Sequence, residues 1–297
     1  LMQTEDRECA GPGSPRSLAD RWILSRLQQA IIETRRAIGS YRFDLAAQAI
    51  YDFSWHDYCD WYLEFSKPLL AAGDATALES RRTLLAVLES LARLAHPVMP
   101  FITEEIWQRV APLAGCAGPS VMLAAYPEAD AALIDPSAEA DVAWLQQAIV
   151  AVRNIRGELN LGPGRKLRLL LREADDAVRQ RVAEHQLLLL SLARLESVAF
   201  IETGDGVPAA ATQIIGQTEL LVPLEGLVDL GAERARLDKE QEKLAREIEK
   251  LAARLANPGF TGKAPAEVVE KERARLAELE GMRAALLAQR DAIGNPS

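Results

Sequence analysis

Cysteine is scarce in this 297-residue chain: Cys9, Cys59 and Cys116 show no Cys-x-x-Cys spacing, and His56, His96 and His185 form no ligand set with them. That scatter excludes a disulfide framework and predicts no metal site, with reduced thiols as in a cytoplasmic protein. No apolar run reaches the ~18 residues of a membrane span, so a soluble chain without membrane contact is expected. A basic excess is missing too. The net charge of -9 rules out indiscriminate coating of nucleic acid, which needs cations to neutralise phosphates; any such binding has to be local. No Gly-rich P-loop, nucleophile elbow or metal-ligand cluster occurs, so no catalytic residue and no cofactor is assigned to this chain. Aromatics make up only 5%, yet four of the five Trp lie between Trp22 and Trp107, so aromatic packing belongs to the N-terminal part.

What is present reads as a mainly α chain: a helical bundle, a small α+β module and an antiparallel coiled-coil hairpin. The opening stretch to Pro15 is polar and rich in Gly and Pro, without a basic start leading into an apolar run. It predicts a flexible segment over 1–16 and no secretory signal, in a piece of a longer protein. The bundle and its connection span 17–136. Ser17 is placed to N-cap helix one, whose Leu18, Trp22, Leu24, Leu27, Ile31 and Ile38 fall mostly on one face. Helix two runs from about Asp44 to Ser66 and is stopped by Pro68. Helix three begins near Thr76 and closes before His96-Pro97, and Pro100 opens helix four with Phe101, Ile102, Ile106 and Trp107. Short connections make this an up-and-down bundle. Ala111 to Pro136 reads as surface chain with one short strand around Val121 to Ala124.

The α+β module spans 137–231. A helix from Ser137 to about Leu159 is followed by the strand LRLLLR, a helix from Asp175 to about Leu195, the strand VAFIE, a Gly/Pro/Ala loop and the strand ELLVPL. The hairpin spans 232–297. Leu237, Leu244, Ile248, Leu251 and Leu255 occupy a and d heptad positions, as do Val269, Leu276, Leu279, Leu286 and Ile293. The break NPGFTGKAP between them folds the second run back on the first. Gln241 and Arg283 stand at core-type sites. From Glu233 to Asp291 the charge is nearly balanced, 13 basic against 12 acidic residues.

Three stretches resemble one family. LADRWILSRL, YRFDLAAQAIYDFSWHDYCDWYLEFSKPLL and LARLAHPVMPFITEEIWQRV are similar to the anticodon-binding bundle of class I aminoacyl-tRNA synthetases for Val, Ile and Leu. AVRNIRGELNLGPG, LARLESV, TELLVPLEGLVD and LANPGFTGKAPAEVVEKERARLAEL resemble the C-terminal region of bacterial valyl-tRNA synthetases. The isoleucyl group commonly ends in a zinc module, for which the cysteines are lacking. The resemblance implies binding of a valine tRNA, with the anticodon stem-loop on the bundle and the tRNA body on the coiled coil. It further implies that ATP-dependent amino-acid activation and editing reside in N-terminal domains of the same protein. That family's His-x-Gly-His and Lys-Met-Ser-Lys-Ser signatures do not occur here, so this chain is expected to be inactive alone, and monomeric.

Anticodon reading needs unstacked bases caught by aromatic or guanidinium planes. The turn Tyr41, Arg42, Phe43 and Asp44 offers that combination: Phe43 to stack, Arg42 to meet phosphate or a base edge, Asp44 to accept from an exocyclic amine. The alternative is that Tyr41 and Phe43 pack into the bundle and Asp44 only N-caps helix two. The run Tyr51, Trp55, Tyr58, Trp61, Tyr62, Phe65 is placed in the core. In the arm, Lys239, Lys243, Arg246, Lys250 and Arg254 form a basic ridge, and Phe260 and Lys263 add an aromatic and a cation at the bend. The ridge is either an RNA contact or a solvated face, since Glu242–Arg246 and Lys243–Glu247 have ion-pair spacing and only Arg254 lacks an acidic neighbour three or four residues away. Arg153 and Arg156, one turn apart, are a weaker candidate. A protein-interaction or oligomerisation role for the coiled coil is the competing reading.

Overall fold

The computed structural model describes residues 17–162, 164–202, 204–206, 209–225, 227, 230–256, 270–276, 279–281, 283 and 287, with the backbone alone over 230–240. Helix α1 (Leu18–Gly39) starts where expected. Ser17 Oγ accepts from Asp20 N at 3.1 Å and donates to the Asp20 carboxylate at 2.6 Å, a cap of the kind that contributes about 1 kcal/mol. The next segment departs from its predicted form. α2 (Phe43–Asp52) runs into a π-helical stretch (Phe53–Tyr62) and then α3 (Leu63–Ala71), with Pro68 inside α3 rather than ending it. The missing proline N–H removes one bond, but the last turn still buries Leu69 before Gly73 closes the segment at φ +71. The wider i→i+5 turn sets Phe53 above Tyr58 and brings Tyr58, Tyr62 and Phe65 into the core, leaving Tyr51 and Trp55 exposed.

α4 (Ala75–Ala95), capped by Asp74, and α5 (Pro100–Val110) complete the bundle. Two polar knots tie it together. Asp20, fully buried, accepts from Tyr62 Oη at 2.8 Å and Ser80 Oγ at 2.8 Å, joining α1, the π-helical stretch and α4. Desolvation raises its pKa despite those donors. Glu89, also buried, receives Trp107 Nε1 at 2.8 Å and the Arg93 guanidinium at 2.8 Å, while Arg93 reaches Ala125 O at 2.8 Å. The strand expected at Val121 to Ala124 is a single 3-10 turn, Val121–Leu123. Among the described residues no strand pairs with it, and the Glu104 carboxylate takes Ser120 Oγ at 2.8 Å and Val121 N at 3.1 Å, which fixes the turn instead.

α6 (Pro136–Glu158) links this bundle to a four-stranded sheet. Its start is bound to α1 through Arg21–Asp135 at 2.8 Å and Asp135 N to Ser25 Oγ at 2.9 Å. The sheet comprises β1 (Leu167–Arg172), β2 (Leu195–Ile201), β3 (Ala210–Ile215) and β4 (Thr218–Pro223) in the order β2-β1-β4-β3. β1 and β2 are parallel, joined by α7 (Asp176–Leu192), and β4 runs antiparallel to β1 and β3. β3 falls where sequence reading leaves a Gly/Pro/Ala loop. It is an edge strand that buries little, and it pairs with β4 through a turn whose Gly216 takes φ +61. Leu167, Leu169 and Leu171 alternate inward from β1, and one apolar cluster runs unbroken from Leu18 to Val222. At about 25 cal/mol per Å² of apolar surface, that shared core couples the bundle to the sheet.

α8 (Leu230–Ala256) and the helical residues 270–276 carry the heptad pattern. Arg254–Glu272 at 3.2 Å and Arg275–Glu247 at 3.3 Å link the two stretches in antiparallel order, and Leu251 and Leu279 are buried. The predicted bend, with Phe260 and Lys263, lies outside the described residues, as do Val269, Leu286 and Ile293.

Candidate nucleic-acid interface

The α1–α2 turn is built by a C-terminal helix motif with an unusual occupant. Arg42 N bonds Ala37 O at 2.9 Å and Tyr41 N bonds Ile38 O at 3.0 Å, the two bonds of a Schellman end, whose left-handed position usually holds Gly. Here Tyr41 takes it, at φ 58. A side chain in that conformation costs on the order of 1–2 kcal/mol, and nothing in the core requires it, since Tyr41 is 82% exposed. Phe43, at 63% exposure, meets the Tyr41 ring edge-on with centroids 6.5 Å apart. The core-packing alternative for these two aromatics is therefore excluded. So is the capping role for Asp44: Arg42 is the cap residue, without a side-chain bond, and Asp44 lies within the first turn. Instead Arg42 grips Asp44 bidentately, Nε to Oδ1 at 2.9 Å and Nη2 to Oδ2 at 2.7 Å. That fork holds the Asp44 carboxyl down at about 2, so it is an acceptor at any physiological pH.

Sequence reasoning missed the other half of this end. Antiparallel register, set by Tyr62 against Ser80 and Tyr58 against Leu84, brings the α4–α5 turn level with Phe43. That turn exposes Val98, Met99, Ile102 and above all Phe101, at 91%. It is held from beneath. Thr103 Oγ1 donates to Met99 O at 2.7 Å and lies 2.8 Å from His96 Nδ1, which makes the ring nitrogen the donor. Trp107, bonded to Glu89, packs against Ala92, Ala111 and Val121. The HPVMPFITEEIW run thus combines an outward-facing turn with a clamp of His96, Thr103 and Trp107 beneath it. The available signal was Phe101 directly after the helix-opening Pro100, where a first-turn residue has no preceding turn to cover it.

Farther along α2 and into the π-helical stretch, Tyr51 and Trp55 stack in parallel with centroids 6.4 Å apart, exposed to solvent. The core placement holds for Tyr58, Tyr62 and Phe65, not for these two.

On the arm, Lys243, Arg246, Lys250 and Arg254 are all exposed. Arg246 pairs with Glu242 at 3.6 Å as its spacing suggests. Glu247 accepts from Arg275 across the pair, not from Lys243. Arg254, which has no acidic neighbour on its own helix, finds one across it in Glu272. Lys243 and Lys250 make no ion pair among the described residues. The side chain of Lys239 lies outside the description. The ridge is therefore a mixture of engaged and open cations.

Among the described residues no helix is long and apolar enough to cross a membrane. Exposed aromatics beside a guanidinium at one bundle end, and an elongated charged helix elsewhere, present surfaces suited to RNA. The family model for the anticodon-binding domain of tRNA ligases matches residues 20–171, just over half the chain, and the chain belongs to that family. The model for the tRNA-binding arm of valyl-tRNA synthetases matches residues 229–294. The chain is also similar to the valine–tRNA ligase of Acinetobacter baylyi, 45% identical over 283 residues, a match covering 94% of this chain and 29% of that protein. It thus spans less than a third of that relative's length.

Proposed function

We propose that this chain is the tRNA-binding part of a cytoplasmic, monomeric valine–tRNA ligase. In this reading the bundle end carrying Tyr41, Arg42, Phe43 and Phe101 reads the anticodon loop. The arm holds the tRNA body through Lys243, Arg246 and Lys250, with Lys239, Arg254, Phe260 and Lys263 as further contacts. Activation, transfer and editing belong to domains outside these 297 residues, and the part described supplies positioning and identity discrimination. One observation carries the reading: a tyrosine kept in a strained, solvent-exposed conformation beside an exposed phenylalanine and a carboxylate-bound arginine. The turn needs only a left-handed residue there, not an exposed ring, and exposed aromatic planes are what unstacked bases need.

The test is a salt-dependent binding titration of the 297-residue chain with valine tRNA and with a tRNA of another specificity. Preference for valine tRNA that disappears when its anticodon is exchanged supports the proposal. Equal binding to the two would reduce it to a grip on tRNA shape, and absence of binding at low salt would leave a protein-partner role for the arm.

A further inference from the structure

The entrance to the sheet holds a polar cleft that neither the bundle end nor the arm uses. It measures about 230 Å³ and is lined by Arg165, Lys166, Arg168, Glu196, Glu225 and Leu227. Two turns wall it, one closed by Arg165 N to Gly162 O at 3.2 Å and the other by Leu227 N to Leu224 O at 3.0 Å. Arg165 Nη1 donates across to Leu227 O at 2.9 Å and ties the two together. Lys166 and Arg168 flank the buried Leu167 and so project from the opposite face of the sheet, both exposed. Glu196 is set apart by a shift of register in β2: Leu167 pairs with Leu195 but Arg168 with Ser197, so Glu196 has no partner in the ladder, the kind of irregularity that re-aims a side chain. None of these five charged side chains makes an ion pair among the described residues, although Arg172, farther along β1 on the same face, pairs with Glu219 at 3.1 Å. Arg153 and Arg156 do not line the cleft; they donate to Leu192 O at 3.5 Å and Gly162 O at 2.8 Å.

Arg165, Lys166 and Arg168 share the cleft without a carboxylate at ion-pair distance, so they repel one another and an anion between them relieves that repulsion. Arg and Lys together suit a phosphate, which accepts from the guanidinium fork and the ammonium alike. Glu196 and Glu225 make a bare anion a poor fit, because an ionised carboxylate only accepts and needs a donor opposite it. A ligand with a phosphate on one side and a hydroxyl donor on the other answers the two sets of groups. A sugar-phosphate unit of RNA is built that way, and its 2′-hydroxyl is the donor that DNA lacks. We infer that this cleft holds one ribonucleotide of an RNA strand, its phosphate on Lys166 and Arg168 with Arg165 at the rim, and its 2′-hydroxyl donating to Glu196 or Glu225. The strand is that of the tRNA, a step that rests on the function proposed above. The cleft ends just before α8 begins at Leu230, so along the chain it lies between the two surfaces that reading assigns to tRNA. A free nucleoside 5′-monophosphate is the other source of the same chemistry.

The experiment compares the 297-residue wild type with two double variants, Lys166→Gln with Arg168→Gln and Glu196→Gln with Glu225→Gln, all at exposed positions. One arm measures binding of valine tRNA against salt and maps the positions where a 2′-deoxy substitution weakens it. The other follows Tm while each of the ribonucleoside 5′-monophosphates is added. The cation variant is expected to lower the salt slope by about 0.7–0.9, the share of one phosphate. The carboxylate variant is expected to bind about three- to tenfold more weakly, since an amide oxygen accepts less strongly than a carboxylate, with the slope unchanged and one 2′-deoxy interference position lost. Unchanged or tighter tRNA binding by the carboxylate variant would overturn the site, because Glu196 and Glu225 would then only repel the backbone; a cation variant identical to wild type would overturn it as well. Either result leaves the proposed function intact as long as the wild type binds tRNA. A wild type that ignores tRNA but gains Tm with a monophosphate, a gain the cation variant loses, would assign the site to free nucleotide and defeat the proposed function. No response to either ligand would defeat the two together.

Discussion

The bundle end and the arm present candidate RNA contacts by opposite means. At the bundle end a few aromatics stand on a backbone fixed by hydrogen bonds, from the Schellman end under Tyr41 to the Thr103 and Glu89 bonds under Phe101. On the arm, cations repeat along a helix tied to its neighbour by ion pairs, and some of them are engaged with Glu242 or Glu272. The first arrangement loses little conformational freedom when a base stacks on it. The second attracts any phosphate and loses strength with salt. In the function proposed above, discrimination therefore belongs to the bundle end, and reach and rate to the arm.

Breaking the support of the bundle end gives the largest effect. Glu89→Ala strands Arg93 and Trp107 and is expected to cost about 3–5 kcal/mol, read by urea denaturation; a loss under about 1 kcal/mol would show that the Glu89 knot does not hold the α4–α5 turn. Removing a stacking plane comes next. Phe43→Ala and Phe101→Ala are each expected to weaken tRNA binding by about 1–3 kcal/mol with Tm unchanged, because the two rings are exposed. The triple change Lys243→Ala, Arg246→Ala, Lys250→Ala sharpens the contrast from the other side. It should lower the salt slope by about 2–3 and weaken valine and non-valine tRNA alike. Tyr41→Gly separates folding from binding: relief of the left-handed strain should raise stability by about 1 kcal/mol while tRNA affinity falls, and a fall in both would contradict the strain argument.

The smallest effect is on pH dependence. The buried Asp20 carboxyl titrates above its ordinary range near 4 because desolvation outweighs its hydrogen bonds. The protonated form is thus favoured by folding, and its contribution is complete below the unfolded pKa and lost as pH rises through the folded one. The stability of wild type relative to Asp20→Asn should therefore decline as pH rises above the ordinary carboxylate range through the raised folded pKa, followed by chemical denaturation. A growing advantage would reverse the sign assigned to its burial.

Much of this architecture is legible in the residues because it follows from local rules. Ser17 as a cap, the strand LRLLLR and Pro100 as the opener of α5 each rest on one or a few neighbouring positions. Tyr51, Trp55, Tyr58 and Tyr62 were harder, since their spacing fits one face of an α-helix and only the wider π-helical turn separates two buried rings from two exposed ones. β3 escapes notice because an edge strand with little burial shows no alternation of apolar residues. The candidate sites divide in the same way. Tyr41 to Asp44 stand out as a polar-aromatic turn, whereas for Phe101 the one local signal is its place directly after Pro100, and a partner of Arg254 lies 18 residues away on another helix.

The most direct test of the division of labour is a fluorescent purine analogue placed in the anticodon loop of valine tRNA, mixed with wild-type chain, Phe43→Ala and the arm triple variant at saturating protein. The account predicts a change in fluorescence on binding wild type and the arm variant, and little or none with Phe43→Ala. A signal unaffected by Phe43→Ala, or abolished only by the arm substitutions, would show that the bundle end does not hold the anticodon bases.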